Sequence, residues 1–474
     1  MVFSSELFLF LFLPVVLLIY HAIPQRLTNA RNIALLLCSL AFYAWGEPAV
    51  VFVMIASIAL NYFLAHGIGR YRKRARLFLV LSVALNIGAL GYFKYANFIA
   101  QNANLLFGSR IASDIALPIG ISFYTFQMVS YVTDIYKGNI TPQRNAVKWA
   151  LYISFFPQLI AGPIIRYADI EPQLSTRAND ADKFFSGLQR FIVGLSKKVL
   201  IANQVAVMAD AAFAGSPQFA MAWAGAVCYA LQIYFDFSGY SDMAIGLGKM
   251  FGFDFRENFN YPYISGTVQE FWRRWHISLS SWFRDYVYIP LGGNRRGAFR
   301  THANLIIVFA VTGLWHGASW NFVIWGLYHG VFLILERGAF GKVLGKLPRA
   351  VKWIYTTAVV LFGWVLFRSE SMAQAASYIK RMLDFRGGGF QSVLANLNVI
   401  TIAAVALGIV FSAPVLPALK RKVFGENGLA AGEGLTPIQS AAGWGTAVFC
   451  LCLLLASILF LTGSAFNPFL YFRF

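Results

Sequence analysis

The chain has 474 residues, of which 58% are hydrophobic, 17% aromatic and 12% charged, and it carries a formal net charge of +19. A soluble protein of this length has about twice that charged fraction, and the mean hydropathy of +0.60 also argues against a soluble fold. The positive balance would suggest nucleic acid in a soluble chain. Here the basic residues lie between apolar runs, so the positive-inside rule accounts for them and nucleic-acid binding is set aside.

Residues 7–20, 33–45, 49–66 and 77–93 are nearly uncharged apolar runs. Roughly 20 such residues span a bilayer, with variation for tilt and kinks. Glu6 is the only charge before His21, and no small-residue cleavage site follows, so the first run reads as a retained span rather than a signal peptide. Arg26 and Arg31 follow the first run, Glu47 the second, and Arg70, Arg72, Lys73, Arg74 and Arg76 the third. This alternation predicts an outer N-terminus and a cytoplasmic cluster at 70–76. Lys94, in ALGYFKYANF, reads as a side chain that snorkels beside Tyr92 and Tyr95.

From 111 to 335 the apolar segments are interrupted by Gly, Pro, Asp, Arg and His. Irregular backbone at membrane depth is tolerated only inside protein or along a cavity. Ionisable residues there are costly and usually functional, so the working site is predicted in this third. In PQLIAGPIIRY, the residues Pro157, Gly162, Pro163 and Arg166 predict a broken helix that shapes a cavity. In LQIYFDFSGYSDMAIGLG, Asp236 and Asp242 read as carboxylates that satisfy broken backbone and nearby polar groups, or else orient a histidine. Simple spans return after 336, with a Gly-rich loop at 384–395, a polar linker at 420–440 and a last run at 442–463, whose direction puts the C-terminus outside. The expectation is one membrane domain: helix hairpins over 1–110, a catalytic funnel over 111–335, and C-terminal helices with an aromatic tail over 336–474. Cys38, Cys228, Cys450 and Cys452 all lie in apolar stretches and read as core residues. No metal site is expected.

Two histidines stand out by context. His276 sits in EFWRRWHISLSSWFRDYVYIPLGGNRRG, with Arg273, Arg274, Arg284 and Arg295 nearby. Arginines pair with phosphate, and the neighbouring rings of Trp272 and Trp275 offer stacking faces. This stretch is either a docking surface for a phosphate-rich acyl donor such as acetyl-CoA or a membrane-interface helix with Trp anchors. His316 sits in VTGLWHGASWNFVIWGLYHG, where an apolar setting disfavours the charged imidazole. A neutral ring is what a general base needs; the alternative is a histidine that bonds across helices. His329 is a weaker candidate, and His21, His66 and His302 lie near loops. Tyr471 in the final FLYFRF is either an interfacial anchor or a mobile acyl carrier. An acyl phenol would remain activated, since a phenol has a pKa of about 10, far below that of a sugar hydroxyl.

These strings, from MVFSSELFLFLFLP through LPIGISFYTFQ, EFWRRWHISLSSWFRDYVYIPLGGNRRG and GLWHGASWNFVIWGLYHG to PFLYFRF, resemble the membrane-bound O-acyltransferases (MBOAT). The likeness is to the bacterial branch that acetylates alginate, and it runs over nearly the whole chain. It implies an all-α polytopic fold, a ring of about 11 to 13 helices, some re-entrant, around a central tunnel. It implies that His316 is the catalytic residue and His276 its functional partner. It implies an acyl donor that enters from the cytoplasm; with acetyl-CoA as that donor, Arg273, Arg274, Arg284, Trp272 and Trp275 are the binding candidates of the docking reading given above. A periplasmic serine-hydrolase-like (SGNH) acetyltransferase, within a polysaccharide synthesis and export complex in the bacterial inner membrane, would finish the transfer to alginate or cellulose. The aromatic tail resembles that of a small partner peptide in teichoic-acid D-alanylation, which favours Tyr471 as carrier. A transporter or a non-catalytic export subunit is the rival reading, but no internal repeat of the kind transporters show is evident. One tension remains: loop counting puts His276 on the cytoplasmic side and His316 near an outer turn, so re-entrant structure is expected between them.

Overall fold

The computed structural model describes residues 1–109, 111–112, 114–178, 180–424, 437–463 and 469–470. Among these the protein is an all-α polytopic membrane fold. Six helices are long and apolar enough to cross a bilayer, or eight if two sharply bent pairs each count as one span. The expected 11 to 13 pieces included short and re-entrant ones, and helices of that kind are present: Phe8–Ala22 is apolar but short, and Trp320–Arg337 turns by 73° into Ala339–Lys346. The outward faces carry large exposed apolar side chains such as Phe52, Phe63, Leu85 and Leu459, as lipid contact requires.

Two early spans, α1 (Val50–Arg70) and α2 (Ala75–Phe107), form a hairpin. Its seam is locked by polar groups: Ser82 Oγ and Asn86 Nδ2 donate to Asn61 Oδ1 at 2.6 and 2.8 Å. Asn61 Nδ2 donates to Ser57 O at 2.9 Å. In lipid such interhelical bonds contribute about 0.6 to 2 kcal/mol. The next helix, α3 (Ile121–Lys137), is buried over most of its length. It starts at Gly120 and stops at Gly138, both at φ +80°, a conformation glycine adopts without strain.

The middle of the molecule is built on α4 (Ala181–Ser196) and α5 (Phe219–Met250). These two helices touch backbone to backbone. A Cβ on Gly187 would lie 2.6 Å from Gly246 O, and one on Gly239 would lie 2.7 Å from Gly194 O. Small residues at matched positions let membrane helices approach this closely. Beyond Ser196 the helix continues through a wide π-type turn, Lys197–Ala202, which aims two lysines at α5. Lys197 meets Asp242 and Lys198 meets Asp236, each at 2.6 Å.

The expected break in α5 does not occur. The helix runs unbroken through Phe237, Ser238 and Gly239. Gly239 is there for the close approach of α4; Asp242 answers Lys197 and Arg190, and Asp236 answers Lys198 and also, as expected of it, a backbone N–H, that of Leu470. The break predicted around Gly162 is real: a short helix Phe156–Leu159 ends there, and the chain resumes as helix only at Tyr167.

Two short helices, α6 (Val268–Arg274) and α7 (Ile277–Phe283), follow. Then come three longer ones, α8 (Gly297–His316), α9 (Trp320–Arg337) and α10 (Arg349–Arg368). The last described span is α11 (Pro437–Thr462). Charged side chains gather at one end of the bundle, where Lys183 pairs with Asp254, Arg256 with Asp169 and Arg166 with Asp285.

Candidate active site

His316 is the last residue of α8. The helix stops because Gly317 leaves helical geometry at φ −167°, and the ring of Phe322 packs where a side chain at 317 would stand. Ser319 then caps α9, its hydroxyl accepting from Asn321 N at 3.2 Å. This tight turn leaves the His316 imidazole 7% exposed. It lies among Trp315, Trp325 and Phe367, with ring centroids 4.9, 5.1 and 5.2 Å away. Its Nδ1 is buried with no hydrogen-bond partner among the described residues.

The end of α8 is held from α2. Tyr95 donates its hydroxyl to Leu314 O at 2.7 Å. Lys94 donates to Trp315 O and to His316 O, the latter at 3.3 Å. Lys94 therefore does not snorkel to the membrane surface. It is buried against the backbone of the candidate catalytic histidine, in a partnership spanning more than 200 residues of sequence that no local pattern announces.

His276 stands in the break between α6 and α7, at φ +46°. A non-glycine residue in that region is uncommon and marks local strain. Asn258 fixes the strained turn. Its side-chain oxygen accepts from Ser278 Oγ at 2.8 Å and Ser278 N at 3.2 Å, and lies 3.1 Å from His276 Nδ1. Its carbonyl accepts from Ile277 N at 2.9 Å. On the other side, Glu336 of α9 accepts from Val268 N and Gln269 N at 2.7 and 2.9 Å, which pins the start of α6. His276 is 1% exposed, and its free nitrogen, Nε2, is buried without a partner among the described residues.

The α6–α7 segment is thus folded into the protein, and it brings His276 to within 6.1 Å of the Trp315 ring, centroid to centroid. Both histidines contact the Trp315 ring, so the two residues that loop counting had set apart lie close together. His329 is also buried, between Trp272 and Trp325, and packs against Gly363 of α10.

Two cavities border His316. The first is a narrow space of about 20 Å³, close to what one water needs. It is lined by Asp236, Phe237, Trp275, Trp364 and Leu470 along with His316. The second, of about 160 Å³, lies between Lys94, the start of α3 and His316.

The tail reaches the first cavity. Leu470 N donates to Asp236 Oδ2 at 2.8 Å, and Phe469 stacks on Tyr240 with centroids 4.7 Å apart. Tyr471 itself lies outside the described residues. Sequence reasoning missed Lys198, whose pairing with Asp236 supports this anchor. Its only signal was a charge inside the apolar stretch KKVLIA.

The candidate donor residues divide into two groups. Arg273 is exposed. Arg284 is exposed and pairs with Asp285 at 2.7 Å. Arg274 bonds Glu270 at 2.9 Å. Trp272 and Trp275 are both buried, Trp272 against His329 and Trp325 and Trp275 against Phe271 and Trp364, and Trp275 also lines the first cavity. They form part of the wall of the site. No group of three or more His, Cys, Asp or Glu side chains that could hold a metal comes together among the described residues.

Residues 85–373 match the family model described as MBOAT, membrane-bound O-acyltransferase family. The chain is 43% identical to the probable alginate O-acetylase AlgI of Azotobacter vinelandii, with both chains covered in full. It is 39% identical to the peptidoglycan O-acetyltransferase of Helicobacter pylori, over 82% of this chain and 80% of that one. It is 30% identical to the teichoic acid D-alanyltransferase of Bacillus subtilis, over 62% of this chain and 84% of that one.

Proposed function

The chain belongs to the membrane-bound O-acyltransferase family and is an O-acyltransferase, and from that premise we propose that it carries acetyl from cytoplasmic acetyl-CoA across a bacterial inner membrane for O-acetylation of an exported polysaccharide. The observation that carries this reading is the pair of buried imidazoles either side of Trp315, each with one ring nitrogen unpartnered among the described residues. Buried polar atoms are normally hydrogen-bonded; other buried side chains here also lack partners, His329 Nδ1 among them, and His316 differs from His329 in lining both cavities.

In the proposed reaction the donor's phosphates rest near Arg273, Arg274 and Arg284 at the charged end of the bundle. Its thioester reaches His316, which borders both cavities. His316 takes the proton of the acceptor hydroxyl. His276, oriented by Asn258, holds the donor in register. The acceptor is Tyr471: Leu470, its neighbour in the chain, lines the cavity that His316 lines. A periplasmic serine-hydrolase-like partner then collects the ester and passes it to polymer. The charge pattern of the loops supports a cytoplasmic donor face with both termini outside, and the whole chain acts as one membrane domain. The relatives named for alginate acetylation favour an alginate-type polymer over cellulose.

Purified protein in liposomes, given labelled acetyl-CoA on the side of the arginine-rich end, tests this. Label transferred to the protein tail, or onward to added partner, is the expected result. Its loss in Tyr471→Phe identifies the carrier. Uptake of intact donor with no cleavage of the thioester would favour the transporter reading instead.

A further inference from the structure

The second cavity holds groups that the proposed reaction does not use. Lys94 is a cation 9% exposed at membrane depth, and no carboxylate pairs with it among the described residues. The other lysine buried as deeply, Lys198, has Asp236 at 2.6 Å. A buried charge is normally paired, so the contrast needs an explanation. Two protons of the Lys94 ammonium go to Trp315 O and His316 O. An ammonium has three, and Lys94 lines the cavity alongside His316.

A second electropositive feature meets it there. The 17-residue helix α3 begins at this cavity, with Gly120, Ile121 and Ser122 in the lining. The N-terminus of a helix carries partial positive charge. The lining of this one cavity therefore combines a helix start, an ammonium and His316. A fixed cation without a resident carboxylate suits negative charge that appears only during a reaction.

We propose that Lys94 is a catalytic residue that stabilises the oxyanion formed when the acyl group is attacked beside His316. The inference rests on the acyl-transfer reading. The acceptor oxygen bonds to the thioester carbon while His316 takes its proton, and the carbonyl electron pair moves onto oxygen. That oxygen accepts a hydrogen bond from Lys94 in the field of α3. When the electron pair returns, the carbon–sulfur bond breaks, and His316 gives the proton to the leaving thiolate.

The rival explanation is that Lys94 only caps α8, and Lys94→Gln separates the two. A glutamine amide still offers two N–H groups to the Trp315 and His316 carbonyls, but no charge. Donor saturation kinetics on purified, folded protein are expected to show kcat falling about 100-fold with KM nearly unchanged, as for loss of one oxyanion donor. Tyr95→Phe, which removes a bond to the same helix end and no charge, is expected to stay within about threefold of wild type. Wild-type kcat in Lys94→Gln, or a rise in KM alone, overturns the proposal. Should Lys94→Gln not fold, a loss of about 100-fold in Tyr95→Phe overturns it as well, because helix capping then suffices. Failure of the wild-type protein to transfer acyl groups would instead strike the proposed function, so the two failures are distinguishable.

Discussion

The seam between α1 and α2 and the chamber around Trp315 are both polar clusters buried at membrane depth, yet they are built on opposite principles. In the seam, Asn61, Ser82 and Asn86 bond one another and nearby carbonyls. Around Trp315, His276 and His316 each keep a buried nitrogen without a partner among the described residues. Closed polar groups hold helices together, whereas open ones are expensive and persist where chemistry needs them.

Substitutions can break this contrast. The largest effect is expected from His316→Ala. Removing a general base costs about 100- to 10,000-fold, so acetyl transfer should fall to near background at normal expression and an unchanged thermal midpoint. Wild-type rates would remove His316 from the mechanism. His276→Gln is expected to cost about 100-fold in kcat/KM, an order of magnitude typical of lost positioning, checked by single-turnover acylation. Replacement without effect would make His276 a packing residue.

Asn61→Leu is the converse case. It should cost about 1 to 2 kcal/mol of stability, read as earlier thermal unfolding in detergent, while kcat per folded molecule stays unchanged. A lowered kcat would blur the distinction between the two clusters. The smallest effect is expected from Arg273→Ala. Losing one exposed phosphate contact should raise the donor KM several-fold, by about 1 kcal/mol, with kcat held.

Much of this was legible in the chain. The apolar runs announced the class, the Gly-Pro pair near 162 announced a break, and the strings around His276 and His316 announced the family. The partners that complete the site were not legible, because they come from far away. Lys94 meets Trp315 and His316 across 221 and 222 residues, and nothing around position 94 distinguishes such a lysine from one that snorkels. The unbroken course of α5 was hidden for a related reason. Gly239 looks like a breaker in isolation, and only the matching Gly194 on another helix shows that its missing side chain serves contact. The buried state of Trp272 and Trp275 likewise depends on α9 and α10 packing over them, which composition cannot report.

Those facing glycines reach further than packing. With backbone laid on backbone along α4 and α5, no acyl tail of a lipid has room to wedge between them, so the pair forms one stiff wall. The first cavity lies between Ile233, Asp236 and Phe237 of α5 and the rings of Trp325, Trp364 and Phe367. Approach to His316 along that side is therefore closed by backbone alone.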